Sequence, residues 1–395
     1  MKRAFRFLLS PRIGARGPSD TYPKEKTAMT DDALPARLAR VRAALAAHQP
    51  APDALLLTDP DNLGYVAGFT GSTAQALITP DEALFITDSR YTLRAAAECR
   101  AFQIRETPSG SGGYGEALEL ILKERPGLRR LGFEAGHVSV ATWEAFRALA
   151  PDVEWVGTQN VVETLRLVKD AGEVALIRHA IAVAEAAFLS VKPMLQIGTR
   201  EQDFALGLEY AMRRGGATGA AFDTIVASGA LGAHPHHHAG PRPLSAGDFV
   251  TVDWGATVGG YNSDLTRTFA IGTASDKGRA VYAVVLEAQQ RAIAAIRPGK
   301  TGKEIDAVAR DFITERGYGD FFGHGLGHSL GRSVHDGMGL SARYDKLILA
   351  PGMVMTVEPG IYLENWGGVR VEEDVLVTED GCEVLTHLPN ALEVL

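Results

Sequence analysis

The sequence predicts two domains: an α/β unit over residues 29–161 and an α+β unit over residues 162–395, the second built on an internal pseudo-two-fold repeat. Three observations lead there. The chain has 395 residues, more than one hydrophobic core ordinarily serves. Toward the N-terminus short apolar strands alternate with helical stretches, the signature of an α/β fold. Further along, a pair of segments shares one pattern, Gly247-Asp-Phe-Val-Thr-Val-Asp253-Trp-Gly255 and Gly352-Met-Val-Met-Thr-Val-Glu358-Pro-Gly360. Each is a glycine, an apolar run, Thr-Val, a carboxylate and a second glycine. Each is followed by a further carboxylate, Asp264 in the first copy and Glu372 in the second.

Residues 1–28 stand apart. They hold seven Lys/Arg against two Asp/Glu, a net of +5 that leaves −13 on the remainder of the −8 chain. The apolar run 4–9 is interrupted by Arg6 and is short for a signal sequence. A disordered basic extension is expected, with a targeting peptide as the alternative.

The first domain opens with helical periodicity over 34–48, where Leu38, Val41 and Leu45 share a face. Strands follow at 54–57, 76–78 and 83–86, then helical stretches at 92–99 and 115–124 and a strand at 130–133. The second domain opens at Glu163-Thr-Leu-Arg-Leu-Val-Lys169. Asp170 is placed to cap a helix running through Glu173, Leu176, Ile177, Ile181 and Ala184. Helices are expected at 201–214, 277–296 and 302–316. Residues 249–273 read as a β-hairpin turning near Gly259-Gly260, and 353–378 as its repeat partner.

The composition is that of a soluble globular protein. Its negative charge gives no reason to expect nucleic acid or an acidic membrane as partner. No apolar run reaches the length of a bilayer span. Cys99 and Cys382 sit in no metal-type spacing, so a reducing, cytoplasmic setting is expected.

The chemistry is carried by the repeat. Side chains alternate along a strand, so Thr251 and Asp253 share one face, Thr356 and Glu358 another, and Arg370 and Glu372 a third. The intervening valines can bury behind them. Converging acids repel, and without compensation their burial costs several kcal/mol. Divalent cations remove that penalty. One imidazole would complete an oxygen/nitrogen set suited to Mn2+, Co2+, Fe2+ or Zn2+. Its source is Gly323-His-Gly-Leu-Gly-His328-Ser-Leu-Gly-Arg-Ser-Val-His335-Asp336, whose glycines allow close backbone approach. A single acid here would read as a solvated strand residue; the register of the acids across the repeat argues otherwise.

On these residues the chain resembles the pita-bread metallopeptidases, the group of methionine aminopeptidase, aminopeptidase P and prolidase. The phrases Val252-Asp-Trp-Gly255, Asn262-Ser-Asp-Leu-Thr-Arg-Thr268, Thr356-Val-Glu-Pro-Gly-Ile-Tyr362 and Gly368-Val-Arg-Val-Glu-Glu-Asp374 match the proline-specific branch. Gly68-Phe-Thr-Gly-Ser72 and Phe85-Ile-Thr-Asp-Ser-Arg-Tyr91 resemble the creatinase-type N-terminal domain. The resemblance implies a creatinase-like domain followed by a pita-bread catalytic domain. It implies two divalent metal ions, Mn2+ first and Co2+ or Zn2+ as alternatives, held by Asp253, Asp264, His328, Glu358 and Glu372. Asp264 and Glu372 would bridge the ions, Asp253 would join one, and His328 with Glu358 the other. Glu358 would also take the proton of the attacking water.

The resemblance further places His335 as a donor to the reacting carbonyl and His236 near the carbonyl or the proline. His234, His237 and His238 read as an exposed loop cluster. Arg370 would orient a bridging carboxylate, and Tyr362 is expected beside the centre or the substrate. The segment around His335 departs from the family's usual Gly-Leu-Glu-Val-His-Glu. Arg332 there is either a surface arginine or a cation at the mouth that grips a substrate carboxylate, and Arg343 is a second candidate for that grip.

The activity implied is hydrolysis of the Xaa-Pro bond of proline-containing di- or oligopeptides, with an Xaa-Pro dipeptidase preferred to an aminopeptidase P acting on longer peptides. A methionine aminopeptidase ordinarily lacks such an N-terminal domain. A non-catalytic pita-bread binding module is the remote alternative, and the filled ligand positions oppose it. A homodimer is expected from the resemblance alone.

Overall fold

The inner strands of the first domain's sheet, Ala54–Leu57, Gln75–Ile78 and Ala83–Thr87, are apolar and buried almost throughout because both faces of the sheet are covered, whereas its edge strands are polar and largely exposed. The structure is a computed structural model that describes residues 33–395. The basic extension 1–28 lies outside the described residues. Six strands form one sheet, in spatial order Gln103–Glu106, Ala83–Thr87, Gln75–Ile78, Ala54–Leu57, Arg130–Glu134 and Glu154–Thr158. Ala54–Leu57 pairs antiparallel with Gln75–Ile78 and parallel with Arg130–Glu134. Leu55 and Leu57 pack with helices Ala33–Ala47, Pro60–Ala67 and Thr92–Glu98. Leu56 packs on the other side with helices Tyr114–Glu124 and Val140–Leu149. The α/β expectation holds, and the expected elements lie within a residue or two of the observed ones.

The α+β domain contains the repeat as two copies of one motif. In the first, strands Phe249–Trp254 and Leu265–Ala270 pair antiparallel, and their connection folds into the hairpin Ala256–Val258/Tyr261–Asn262. Gly259 and Gly260 make its turn, both at positive φ. In the second, Val354–Val357 pairs with Glu373–Val377 around the hairpin Gly360–Leu363/Gly367–Arg370. Each copy has a helix pair. Ala171–Val191 and Glu201–Arg214 pack on the first copy through Phe188, Phe204 and Trp254. Asp276–Ala295 and Gly302–Glu315 pack on the second through Val285, Ile305 and Met355. Asp170 with Glu173, and Thr301 with Glu304, form capping boxes that start two of these helices.

The segment Ala171–Met194 is long and apolar enough to cross a bilayer, which corrects the sequence expectation that no run reaches that length. Much of its apolar surface is used inside the protein: Phe188 stacks on Trp254 with ring centroids 4.6 Å apart. Between the domains, helix Val161–Leu167 inserts Val162 into the core of the first domain, while Arg37 pairs with Asp170 at 2.7 Å.

Candidate metal centre

The two copies of the motif meet at their polar faces. Thr251 Oγ1 lies 3.0 Å from Thr268 Oγ1, and Thr268 donates to the carbonyl of Arg370 at 2.9 Å. The backbone N–H of Glu372 donates to the carbonyl of Thr266 at 3.1 Å. Behind this seam Gln289, from helix Asp276–Ala295, donates to the carbonyls of Val357 at 3.2 Å and Val371 at 2.8 Å. One amide thus ties together the residues that precede Glu358 and Glu372.

Asp253, Asp264, His328, Glu358 and Glu372 all line one cavity, of about 850 Å3. Asp264, His328 and Glu372 each present a ligand atom within 4.8 Å of the others. His328 Nε2 lies 3.5 Å from both Asp264 Oδ2 and Glu358 Oε1. The other ring nitrogen, Nδ1, is 3.2 Å from the carbonyl of Ser329. With its proton directed there, Nε2 is left as the donor atom for a cation. Close approach is required: a Cβ on Gly327 would fall 2.0 Å from the carbonyl oxygen of Thr356.

The donor set fits divalent cations on three counts. Burial first, then repulsion from Asp253 and other acids, holds the Asp264 carboxyl well above the usual range. Burial first, then Asp264 and Glu358, does the same to Glu372, and burial also raises Glu358. Such a cluster must take up protons or cations. Arg370 Nη2 donates to Asp253 Oδ2 at 2.6 Å and not to Asp264 or Glu372, the carboxylates expected to bridge, which corrects the expectation; Glu372 Oε2 is held instead by Thr266, which donates to it at 2.7 Å. The second oxygens, Asp253 Oδ1 and Glu372 Oε1, are buried without a hydrogen-bond partner among the described residues. Each carboxylate is therefore oriented by the protein and keeps one oxygen available. Oxygen donors outnumber the single imidazole, the mix that hard or borderline divalent ions accept.

The remaining residues expected at the site fall into two groups. His335 and His236 line the cavity, and the His335 ring stacks on His328 with centroids 4.0 Å apart. Desolvation first, then His328 and His236, pushes the His335 imidazole down to about 4. Tyr362 and Arg370 also line the cavity, with Arg370 Nη1 donating to the Tyr362 hydroxyl at 2.9 Å. The sequence pattern puts His237 in an exposed cluster, but its Nε2 lies 2.9 Å from Oε2 of the buried Glu201. Arg332 is a correction. Its guanidinium lies 5.3 Å from the centre of the Tyr261 ring, and a Cβ on Gly64 would fall 1.8 Å from its Nη2. The aromatic face and the space left by Gly64 draw it to the domain boundary, whereas Arg343 lines the cavity.

Sequence reasoning misses His324. It lines the cavity, its Nε2 lies 2.9 Å from the Tyr362 hydroxyl, and burial pushes it down to about 4. Arg310 holds its segment by donating to the carbonyl of His324 at 2.6 Å. The available signal is the three histidines in one glycine-rich run, which marks the segment but not the role of each.

Fold and centre together define a metallohydrolase with a separate N-terminal domain. Residues 175–379 match metallopeptidase family M24, and residues 37–168 match the creatinase/prolidase N-terminal domain. The chain belongs to metallopeptidase family M24, and membership implies divalent metal ions. An Xaa-Pro dipeptidase of Pyrococcus furiosus is 43% identical over 66% of this chain and 75% of its own length. The structure of an Xaa-Pro dipeptidase from Bacillus anthracis superposes with a TM-score of 0.87, is 40% identical, and covers 92% of this chain and 100% of its own. That of an X-Pro aminopeptidase from Thermotoga maritima gives 0.81 at 42% identity, covering 87% and 98%.

Proposed function

We propose that this metallopeptidase hydrolyses the Xaa-Pro bond and acts as an Xaa-Pro dipeptidase. The observation that carries the reading is a single cavity with the acid and histidine cluster and the cation Arg343 in its lining. A dipeptide bound between them has its scissile bond at the cluster and its free carboxylate at the arginine. The similarity to two Xaa-Pro dipeptidases supports it. The similarity to an X-Pro aminopeptidase favours a second reading, release of the first residue from longer peptides.

Asp253, Asp264, His328, Glu358 and Glu372 would hold two divalent ions, with Mn2+ preferred because carboxylate oxygens dominate the set. When bound, the ions lower the pKa of a water and polarise the scissile carbonyl. Glu358 would take the proton of the attacking water as its oxygen adds to the carbonyl carbon. His335, kept neutral by its low pKa, and His236 offer N–H donors to the charge growing on the carbonyl oxygen. The C–N bond to proline then breaks, the proton passes to the proline nitrogen, and a free carboxylate is left on the first residue. Arg370 holds Asp253 in place throughout.

A homodimer belongs to this proposal, from family resemblance alone. So does a cytoplasmic setting, which the two unpaired cysteines favour. The deciding experiment compares an Xaa-Pro dipeptide with an Xaa-Pro-Yaa tripeptide. Preferred cleavage of the dipeptide is expected; preferred cleavage of the tripeptide moves the assignment to the aminopeptidase.

A further inference from the structure

The loop 331–336, which presents Val334 and His335 to the cavity, is gripped from its other side by the N-terminal half of the chain. Asp336, next to His335, is only 3% exposed. Its Oδ1 accepts from Arg166 Nη2, and its Oδ2 lies 3.3 Å from Lys169 Nζ. Its backbone N–H donates at 2.9 Å to the carbonyl of Ser329, the residue after His328. Arg166 is itself fixed by Asn62 Oδ1 at 2.7 Å, in the N-terminal domain. Ser333 also donates to Asp61 Oδ2 of the N-terminal domain, and from the second domain Asn262 donates to the carbonyls of Gly331, at 2.9 Å from its backbone N–H, and Arg332, at 2.7 Å from Nδ2. There is little slack, because a Cβ on Gly331 would fall 2.1 Å from Asp336 Oδ2.

A buried carboxylate between two cations is a poor way to gain stability, since well-packed apolar side chains do as well or better. What it does supply is direction. Arg166 reaches Asp336 through a planar fork of fixed geometry. The backbone bond to Ser329 sets the adjacent residues, His335 and His328, against each other, and their rings stack.

We propose that Asp336, held by Arg166, is a positioning residue that fixes His335 over His328, so that the N-terminal domain sets the geometry of the reaction. The inference rests on the role given to His335 in the proposed hydrolysis. It is tested in the metal-loaded full-length protein by a double-mutant cycle of Asp336→Asn and His335→Asn. Asp336→Asn is expected to lower kcat about tenfold or more with a much smaller change in KM, because misplacement of a reacting group by ~1 Å can cost 10²-fold. With His335→Asn already present, Asp336→Asn should change kcat little further. Equal losses in both backgrounds overturn the proposal and make Asp336 structural. Arg166→Lys, which keeps the charge without the fork, should lower kcat, but less than Arg166→Ala does.

If Asp336→Asn does not fold, Ser333→Ala goes through the same cycle, and its loss too must vanish beside His335→Asn. A second readout does not need turnover. The His335 ring C–H resonance in the Zn2+-loaded protein, assigned by its absence in His335→Asn, should shift in Asp336→Asn as the ring leaves the stack. An unmoved resonance overturns the proposal. If His335→Asn keeps full turnover, the role of His335 fails, and the resonance still decides whether Asp336 positions it.

Discussion

Arg370 Nη2 stands 2.6 Å from Asp253 Oδ2, joining the second copy of the repeat to the first across the centre. The arginine is buried. Burial works against its charge, and Tyr362, Asp253 and Glu358 outweigh it and hold its pKa well above the ordinary value. It therefore acts as a permanent cation that leaves Asp253 one free oxygen. Arg370→Met should lower metal affinity and turnover by about 10–100-fold, the usual consequence of losing a ligand's orienting partner. Metal titration by calorimetry checks it, and unchanged affinity would make Arg370 a structural residue.

Metal removal should abolish activity and also weaken the fold. Asp264, Glu358 and Glu372 have carboxyls raised by burial, so holding them ionised near neutral pH opposes folding. A cation at ~100 times its Kd would restore about 2.7 kcal/mol. At about 2–4 °C per kcal/mol, that is a rise in Tm of about 5 °C or more. Calorimetric scans of chelated and Mn2+-reloaded protein measure it. Full activity with no metal by elemental analysis would remove the centre from the mechanism.

Glu358→Gln isolates the proton-transfer step. The amide keeps the size of the side chain but cannot take a proton. Turnover should fall by about 10²–10⁴-fold, the range of general base catalysis. Melting in the metal-free state should not fall, since a repelling buried acid is gone. Near-normal turnover would show that another group takes the proton.

Both the repeat and the centre could be read from the sequence because each leaves a local mark. Thr251 and Asp253, like Thr356 and Glu358, sit two apart, and the strands place each pair on one face. Asp170 caps its helix as the sequence indicates, with Glu173 closing the box. Missed elements include helices Pro60–Ala67 and Val140–Leu149 and strands Gln103–Glu106, Glu154–Thr158 and Ile225–Ser228, which are short and without clear periodicity, although Asp59 and Ser139 cap the helices. The sequence could not place Arg332. Its position depends on Tyr261 and on Gly64, 268 residues earlier, and no local pattern reports such a contact.

The two arginines offered for the substrate carboxylate can be told apart by position. Arg343 lines the cavity, whereas Arg332 lies on Tyr261 at the domain boundary. If Arg343 grips the free carboxylate of a dipeptide, Arg343→Ala removes charge-assisted hydrogen bonds. It should then raise KM for an Xaa-Pro dipeptide about tenfold. The figure sits at the low end because Arg343 is exposed and water weakens its grip. A tripeptide amide lacks that charge and should be cleaved with unchanged KM. Arg332→Ala should leave KM for both substrates alone and lower Tm instead, since its loss opens a gap beside Gly64 and Tyr261. Steady-state kinetics on both substrates, with melting curves for both variants, separate the cases. A rise in KM confined to the dipeptide but produced by Arg332→Ala would reverse the assignment.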